Sequence, residues 1–363
     1  MLKKCLPGFM PRGTGQMISK VFSSSYALMI KEFGDPSKVV EKVDNQVNEG
    51  TSVTASQVLI NFKASPVNPA DINTIQGTYG VKPNLPVVGG GEGVAIVVKV
   101  GSGVSKIRAG DHVIPTVPGY GTWRSYAIAD QEELFCVDKD LNIFDAAQLS
   151  VNPPTAYRML KDFVSLQPGD SVIQNGANSA VGLYVIQLAK EWGLKTINVV
   201  RDRANVEAMN KLNDSLRKYG ADHIITEEQL RDRDIMSKIW SSTSKPKLAL
   251  NCVAGPNATD CIRHIAPGGT MVTYGGMSKK PLTVPIGAHI FNDIRFHAFW
   301  MTRWRNQNKD SSALQQMMEE LTSHFKHGKI RAPNVIEVPM SDYKLALEKA
   351  MKPFVEGKVI MTP

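Results

Sequence analysis

Ser171-Val172-Ile173-Gln174-Asn175-Gly176-Ala177-Asn178-Ser179-Ala180-Val181-Gly182 is the stretch that decides the fold. Its first five residues form a β-prone run, and the small residues that follow carry two glycines, Gly176 and Gly182. A helical pattern comes next, with Val181, Val185, Leu188, Ala189 and Trp192 on one face and Gly193 at its end. A second β-prone run, 195–200, closes on Arg201-Asp202-Arg203. Strand, tight turn, helix and strand make one βαβ unit, whose helix N-terminal amides can face a pyrophosphate. An acidic residue after the second strand would hold the ribose 2′-hydroxyl of NAD, whereas two arginines suit the 2′-phosphate of NADP. The turn departs from G-x-G-x-x-G, and either signal alone has a plainer use, in close packing or on a solvated turn. Together, at the right spacing in one unit, they predict NADPH as the cofactor.

Outward from this unit the chain alternates. Strands are predicted at 171–175, 195–200, 223–226, 248–253, 269–274 and 295–300, separated by helical patterns such as 205–219, which Gly220 stops. Six strands joined by crossovers imply a doubly wound parallel sheet, an α/β fold of Rossmann type. Before it, 26–150 reads as short strands between prolines and glycines, at 26–30, 57–62, 93–100, 112–115, 122–129 and 134–137, which is a β-rich, barrel-like pattern. Residues 145–163 read as helix in two parts, interrupted at Pro153-Pro154. After it, 311–363 holds two helical patterns and a last strand, 358–361, predicted to return to the first domain. The organisation expected is therefore a catalytic part at 26–150, a dinucleotide-binding domain at 151–300, and a return to the catalytic part at 301–363.

Composition narrows the class. The 363 residues are 42% hydrophobic and 21% charged, ordinary for a globular protein. No apolar run is long enough for a membrane-spanning helix. The four cysteines, at 5, 136, 252 and 261, form neither a metal-type spacing nor a disulfide framework. The net charge of +8 comes partly from residues 1–25, which hold Lys3, Lys4, Arg12 and Lys20 and no acid. Without them 38 basic residues face 34 acidic ones, and no basic–aromatic stripe is visible, so nucleic acid is not the expected partner. Basic, acid-free and ending in Phe22-Ser23-Ser24-Ser25, the segment 1–25 resembles a mitochondrial transit peptide, which implies the matrix as the destination. A basic tail of no targeting role has the same composition.

Several strings in order extend the reading to the whole chain from Tyr26. They are Pro66-Val67-Asn68-Pro69-Ala70-Asp71-Ile72-Asn73, Gln76-Gly77-Thr78-Tyr79-Gly80, Gly121-Thr122-Trp123-Arg124, Ser150-Val151-Asn152-Pro153, Arg201-Asp202-Arg203, Tyr274-Gly275-Gly276-Met277 and Phe299-Trp300. With them the chain resembles the medium-chain dehydrogenase/reductase superfamily, a GroES-like domain interrupted by a Rossmann domain. Within it, the chain is similar to the mitochondrial enoyl thioester reductases. Zinc alcohol dehydrogenases of the superfamily use Cys and His ligands in the first domain, yet 26–150 offers only Cys136 and His112. Without a metal to polarise a carbonyl, reduction of a C=C bond is the expected chemistry.

The resemblance implies roles. A 2-enoyl thioester needs hydride at C3, a proton at C2 and stabilisation of the thioester oxygen between the two events. It makes Tyr79 the proton donor or orienting hydroxyl, since a phenol keeps its proton at neutral pH. It places Asn152 near the nicotinamide ribose, and Asn178, Ser179, Ala180 and Val181 at the pyrophosphate. It also places Arg201, Asp202 and Arg203 at the 2′-phosphate, and Tyr274, Gly275, Gly276 and Met277 along the nicotinamide half. Phe299, Trp300, Met301 and Thr302 stand at a cofactor-side strand end, Lys358 is a further cofactor contact, and Trp123 is expected to shape the acyl pocket. Gly91, Ala180 and Ala254 depart from the family pattern, which commonly has Asn, Gly and Gly there. The implied partners are an enoyl thioester, an acidic acyl carrier protein and a second copy in a homodimer. Arg303, Arg305 and Lys309, with Arg124, are the candidate docking face for the carrier. A zinc-free NADPH quinone reductase on the same scaffold is the alternative, and a non-enzymatic dinucleotide-binding protein a third reading.

Overall fold

The computed structural model describes residues 25–309 and 311–363, so the predicted transit segment lies almost wholly outside the described residues. Six strands form one parallel sheet in the order His223–Thr226, Lys195–Val200, Ser171–Asn175, Leu248–Asn251, Thr270–Thr273 and Arg295–Ala298. The chain builds outward from Ser171–Asn175 on one side, then returns to its other side with Leu248–Asn251. A crevice opens at such a switch point, beyond the carboxyl ends of the strands. Parallel strands covered by helices are buried on both faces, as Ser171–Asn175 and Leu248–Asn251 are, and the polar side chains they carry, Ser171, Gln174, Asn175 and Asn251, are hydrogen-bonded.

The other half is antiparallel. The long strand Gln57–Pro66 pairs with Val94–Val100 and Tyr126–Asp130, and register shifts at Leu59/Ile60 and Phe62/Ala64 bend it. At its far end Pro66 and Ser65 pair with Ile360 and Met361 of Lys358–Thr362, so the last strand does return to the first sheet. A strand absent from the sequence reading, Val335–Pro339, runs parallel to Lys358–Thr362 and extends that sheet. Another, Val40–Asp44, pairs with Tyr26–Ile30.

Two local expectations change. The break in 145–163 lies before the prolines: helices Ile143–Gln148 and Asn152–Asp162 flank it, and the prolines occupy the first turn of the second. A first-turn proline lacks only an N–H that would have had no helical partner. The strand predicted at 122–129 begins only at Tyr126, because the amides of Gly121 and Trp123 donate instead to the carbonyls of Gly90 and Gly89. Trp123 is fully buried against Gly89 and Gly90, where a Cβ would stand 2.5 Å from its ring. It is a core side chain, so the expectation that it shapes the acyl pocket is corrected.

Candidate active site

The site begins at the turn after Ser171–Asn175. Gly176 has φ 59°, and a Cβ on it would lie 2.6 Å from the Cys252 Sγ, so only glycine fits. Ser179 caps the helix Ala180–Glu191 by accepting from the Gly182 amide at 3.2 Å. A Cβ at Gly182 would stand 2.5 Å from the Ala177 carbonyl, so glycine here lets the helix sit close on its own turn. Asn178, Ser179, Ala180 and Val181 are left half-exposed at a helix N-terminus, where free amides and the helix dipole favour an anion.

Beside the turn runs the loop after Thr270–Thr273. The amides of Tyr274 and Met277 donate to the carbonyls of Asn251 and Cys252, both at 2.9 Å, and Gly275 passes so close to Cys252 that a Cβ would be crowded. The Tyr274 phenol sits against the Cys252 thiol and Ser179, and burial raises its pKa well above the ordinary phenol range. This contact joins the 176–179 turn to the 274–277 loop. Gly276 and Met277 are exposed along the crevice.

Beneath both, the carboxyl ends of the strands are tied by amides. Asn175 Nδ2 donates to the Oδ1 atoms of Asn251 and Asn257, each at 2.8 Å, and Asn175 Oδ1 accepts from the Cys252 amide at 2.8 Å. Sequence reasoning missed these residues; Asn175 and Asn251 each carry the signal of an amide at the last position of a strand, while Asn257, on the helix Gly255–Ile262, carries none.

At the end of Lys195–Val200, Arg201 and Arg203 both place their guanidinium carbons 4.5 Å from the centre of the Phe354 ring. Arg203 also donates to the Arg201 carbonyl at 2.6 Å. Asp202 is exposed and accepts from the Arg203 amide at 2.9 Å, which fixes the turn.

The opposite wall comes from the first domain. Trp300 Nε1 donates to the Tyr79 hydroxyl at 3.0 Å, across 221 positions of sequence. Tyr79 follows the helix Pro69–Ile75, and its amide donates to the Asn73 carbonyl at 3.0 Å. Trp300 is the N-cap residue of Met301–Asn308, so Met301 and Thr302 open that helix. Phe299 turns inward, edge-on to Phe163, and packs in the core.

Asn152 and Lys358 are brought together through Asn68. Lys358 Nζ donates to Asn68 Oδ1, which also accepts from Asn152 Nδ2 at 3.3 Å, while Asn68 Nδ2 donates to Glu92 Oε1 at 2.6 Å. Burial pushes Glu92 up to about 7 against the pull of Lys358, and pushes Asp71 up to about 6 against its bond from the Asn68 amide. Burial lowers Lys358 in turn, opposed by Glu92 and Asp71. Asn68 lies within a string that the sequence reading quoted, and Glu92 follows Gly91, but no role was given to either.

The expected docking face is corrected in part. Arg303 and Lys309 are exposed, but Arg305 is buried and donates to the Thr116 carbonyl at 3.3 Å and to the Ser150 carbonyl. A buried strut between two loops cannot meet a partner. Arg124 is mostly enclosed and donates to the Tyr120 carbonyl at 3.2 Å, so it too is committed inside.

NADPH fits these residues: small-residue turns that a Cβ would fill, a helix N-terminus and two guanidiniums lie along one crevice. Among the described residues, no group of three or more His, Cys, Asp or Glu is placed to hold a metal ion.

Two family models match, an alcohol dehydrogenase GroES-like domain over 54–139 and a zinc-binding dehydrogenase domain over 180–323. The mitochondrial enoyl-[acyl-carrier-protein] reductase of Mus musculus is 48% identical over 336 residues, covering 93% of this chain and 88% of that protein. That of Homo sapiens is 47% identical with the same coverage. Among solved structures, a mutant form of the enoyl thioester reductase of Candida tropicalis aligns with a TM-score of 0.85 at 32% identity, covering 94% of this chain and 100% of that one. Etr1p with NADP and crotonyl-CoA, and the Etr1p/Etr2p heterodimer, align with the same values. A Pseudomonas syringae quinone oxidoreductase, at 22% identity and a TM-score of 0.77 over 93% of this chain and 100% of that one, shares the fold alone. The chain belongs to the mitochondrial enoyl-[acyl-carrier-protein] reductase family, a GroES-like domain and a Rossmann domain in one medium-chain dehydrogenase/reductase fold.

Proposed function

We propose that this chain uses NADPH to reduce the C2=C3 double bond of trans-2-enoyl thioesters, on acyl carrier protein or CoA, in the mitochondrial matrix as part of fatty acid synthesis. One observation carries the mechanism: the Tyr79 hydroxyl, from the GroES-like domain, is held by Trp300 Nε1 at the strand ends of the Rossmann domain. NADPH, when bound, supplies the hydride to C3. The hydroxyl accepts from the indole, so its own proton points elsewhere and is free for the substrate. Tyr79 then either donates that proton to C2 or holds the thioester oxygen while negative charge develops on it. Addition of one hydride and one proton saturates the bond and leaves NADP⁺. Arg201 and Arg203 take the 2′-phosphate, Asn178 to Val181 the pyrophosphate, and Tyr274 to Met277 with Asn152 and Lys358 the nicotinamide half. Residues 26–150 and 301–363 form the catalytic part around the cofactor domain 151–300, a division supported by the pairing of Lys358–Thr362 with Gln57–Pro66.

The quaternary reading is a homodimer. Arg295–Ala298 is the edge of the parallel sheet, and beside it Ile286, Ile290 and Phe291 are 69%, 63% and 83% exposed. An unpaired edge next to an apolar patch suits a two-fold copy of itself. For the carrier protein, Arg303 and Lys309 remain the candidate contacts. The deciding assay is NADPH oxidation with crotonyl-, hexenoyl- and decenoyl-CoA beside a quinone. Turnover of the enoyl thioesters with negligible quinone reduction is expected; efficient quinone turnover without enoyl reduction would replace this reading by the alternative.

A further inference from the structure

Phe354, the ring beside Arg201 and Arg203, is an anomaly. It is a large apolar ring, 46% exposed, on a left-handed backbone with φ 59° that bulky residues rarely adopt. Neither exposure nor that backbone is favourable for phenylalanine, so something else must hold it there. Its ring lies 4.5 Å from the guanidinium carbons of both Arg201 and Arg203. Two residues on, Glu356 accepts from Lys211 Nζ at 2.6 Å, which ties this segment to the helix Val206–Tyr219 just after the arginines. Gly357 passes so close to the Asn334 carbonyl that a Cβ would be 2.6 Å from it, and Lys358 then reaches Asn68. The segment 354–358 therefore runs from the arginine pair to the Asn68–Asn152 network. Its ends are four residues apart and can span at most roughly 14 Å.

Two guanidiniums side by side repel each other, and an aromatic face counters that by attracting each of them. A ring attracts the flat face of a guanidinium, whereas a phosphate takes the N–H groups at its edge, so one arginine can serve both at once. We infer that Phe354 is a specificity-determining residue for the cofactor: it holds Arg201 and Arg203 face-on, with their N–H edges turned to a ribose 2′-phosphate. The inference rests on the reading that these arginines take that phosphate. Selectivity for NADPH over NADH is then shared between the Rossmann domain, which supplies the charges, and the C-terminal segment, which supplies the ring.

The test uses the full chain and adenosine 2′,5′-bisphosphate, which carries the 2′-phosphate without the nicotinamide half, against ADP, titrated by calorimetry. Phe354→Ala and Phe354→Leu are expected to weaken the bisphosphate on the order of five- to tenfold, leave ADP unchanged, and leave the thermal midpoint near that of the parent. Phe354→Tyr, which keeps the ring face, should restore binding, as a merely apolar plug would not require. Unchanged bisphosphate binding in Phe354→Leu overturns the inference, as does equal weakening of both ligands. Tighter bisphosphate binding in Phe354→Ala overturns it too, because the ring would then occupy the place of the phosphate. The Arg201→Ala/Arg203→Ala protein separates the two levels. If it loses bisphosphate affinity while Phe354→Leu does not, the cofactor reading stands and the role of Phe354 falls. If it binds the bisphosphate as well as the parent, both fall.

Discussion

Replacing Tyr79 by Phe removes one oxygen and keeps the ring, so the loss that follows reports on the hydroxyl and not on packing. A positioned acid or oxyanion donor contributes about 10²- to 10³-fold, or roughly 3–4 kcal/mol of barrier. We expect kcat with 2-hexenoyl-CoA to fall by that factor while NADPH affinity, measured by calorimetry, stays unchanged. Trp300 touches the same oxygen with a single neutral bond at 3.0 Å. Such a bond is worth about 0.5–1.5 kcal/mol net, so Trp300→Phe should cost roughly two- to twelvefold in kcat. If Trp300 acts only by orienting that oxygen, the two losses do not add. Trp300→Phe placed on top of Tyr79→Phe should then cost little further, since the bond it removes is already gone. Single-turnover rates for the four proteins of this cycle, at saturating NADPH, give the coupling directly. Full enoyl reductase activity in Tyr79→Phe would refute the assignment. Strictly additive losses would refute the orienting role of Trp300 and leave it a cofactor contact or a packing residue.

Charge reversal at the exposed pair, Arg303→Glu with Lys309→Glu, should slow turnover of a carrier-protein substrate more than that of an N-acetylcysteamine thioester; equal slowing of both rejects a docking face. Ala254 has φ 62° and ψ −163°, a region that belongs to glycine, so Ala254→Gly should stabilise the fold by about 1 kcal/mol in urea unfolding. A lower midpoint would show that the strain is relieved by contacts of the methyl group. Glu92 gives a pH signature: a free carboxyl ionises near 4.5, but burial holds this one protonated up to about 7. Between those values the native state keeps a proton that the unfolded chain has released, so Glu92 costs stability progressively as pH rises through this window. Glu92→Gln should gain on the parent from about pH 4.5 to about pH 7 and hold a constant difference above it; a difference independent of pH would contradict the buried, proton-retaining state.

Patterns that depend on neighbours in sequence were legible. Apolar runs at 171–175 and 195–200, small residues between 176 and 182, and the stop at Gly220 read out strand, turn and helix because those preferences are local to a few residues. The alternation implied a parallel sheet, since crossover helices leave few other topologies. Ordered strings such as those around Tyr79 and Tyr274 carried the family, while the βαβ unit closing on Arg201 and Arg203 carried the cofactor. Pairings between distant segments were not legible. Nothing near Arg305 marks it as buried; its fate is decided by the carbonyls of Thr116 and Ser150, which satisfy a charge that would otherwise stay in water. Its neighbour Arg303, two residues away on the same short helix, faces solvent. Val335–Pro339 is β-prone through Val335, Ile336 and Val338, but the strand it pairs with, Lys358–Thr362, is settled only by the fold. The Trp300–Tyr79 bond, the Asn68 network with Glu92 and Lys358, and the contact of Phe354 with two arginines all join residues from separate elements. A polar or aromatic side chain finds such a partner only after burial of the apolar faces has brought the two domains together. Composition and periodicity therefore chose the architecture, while the folded crevice alone decided which of its polar groups face one another.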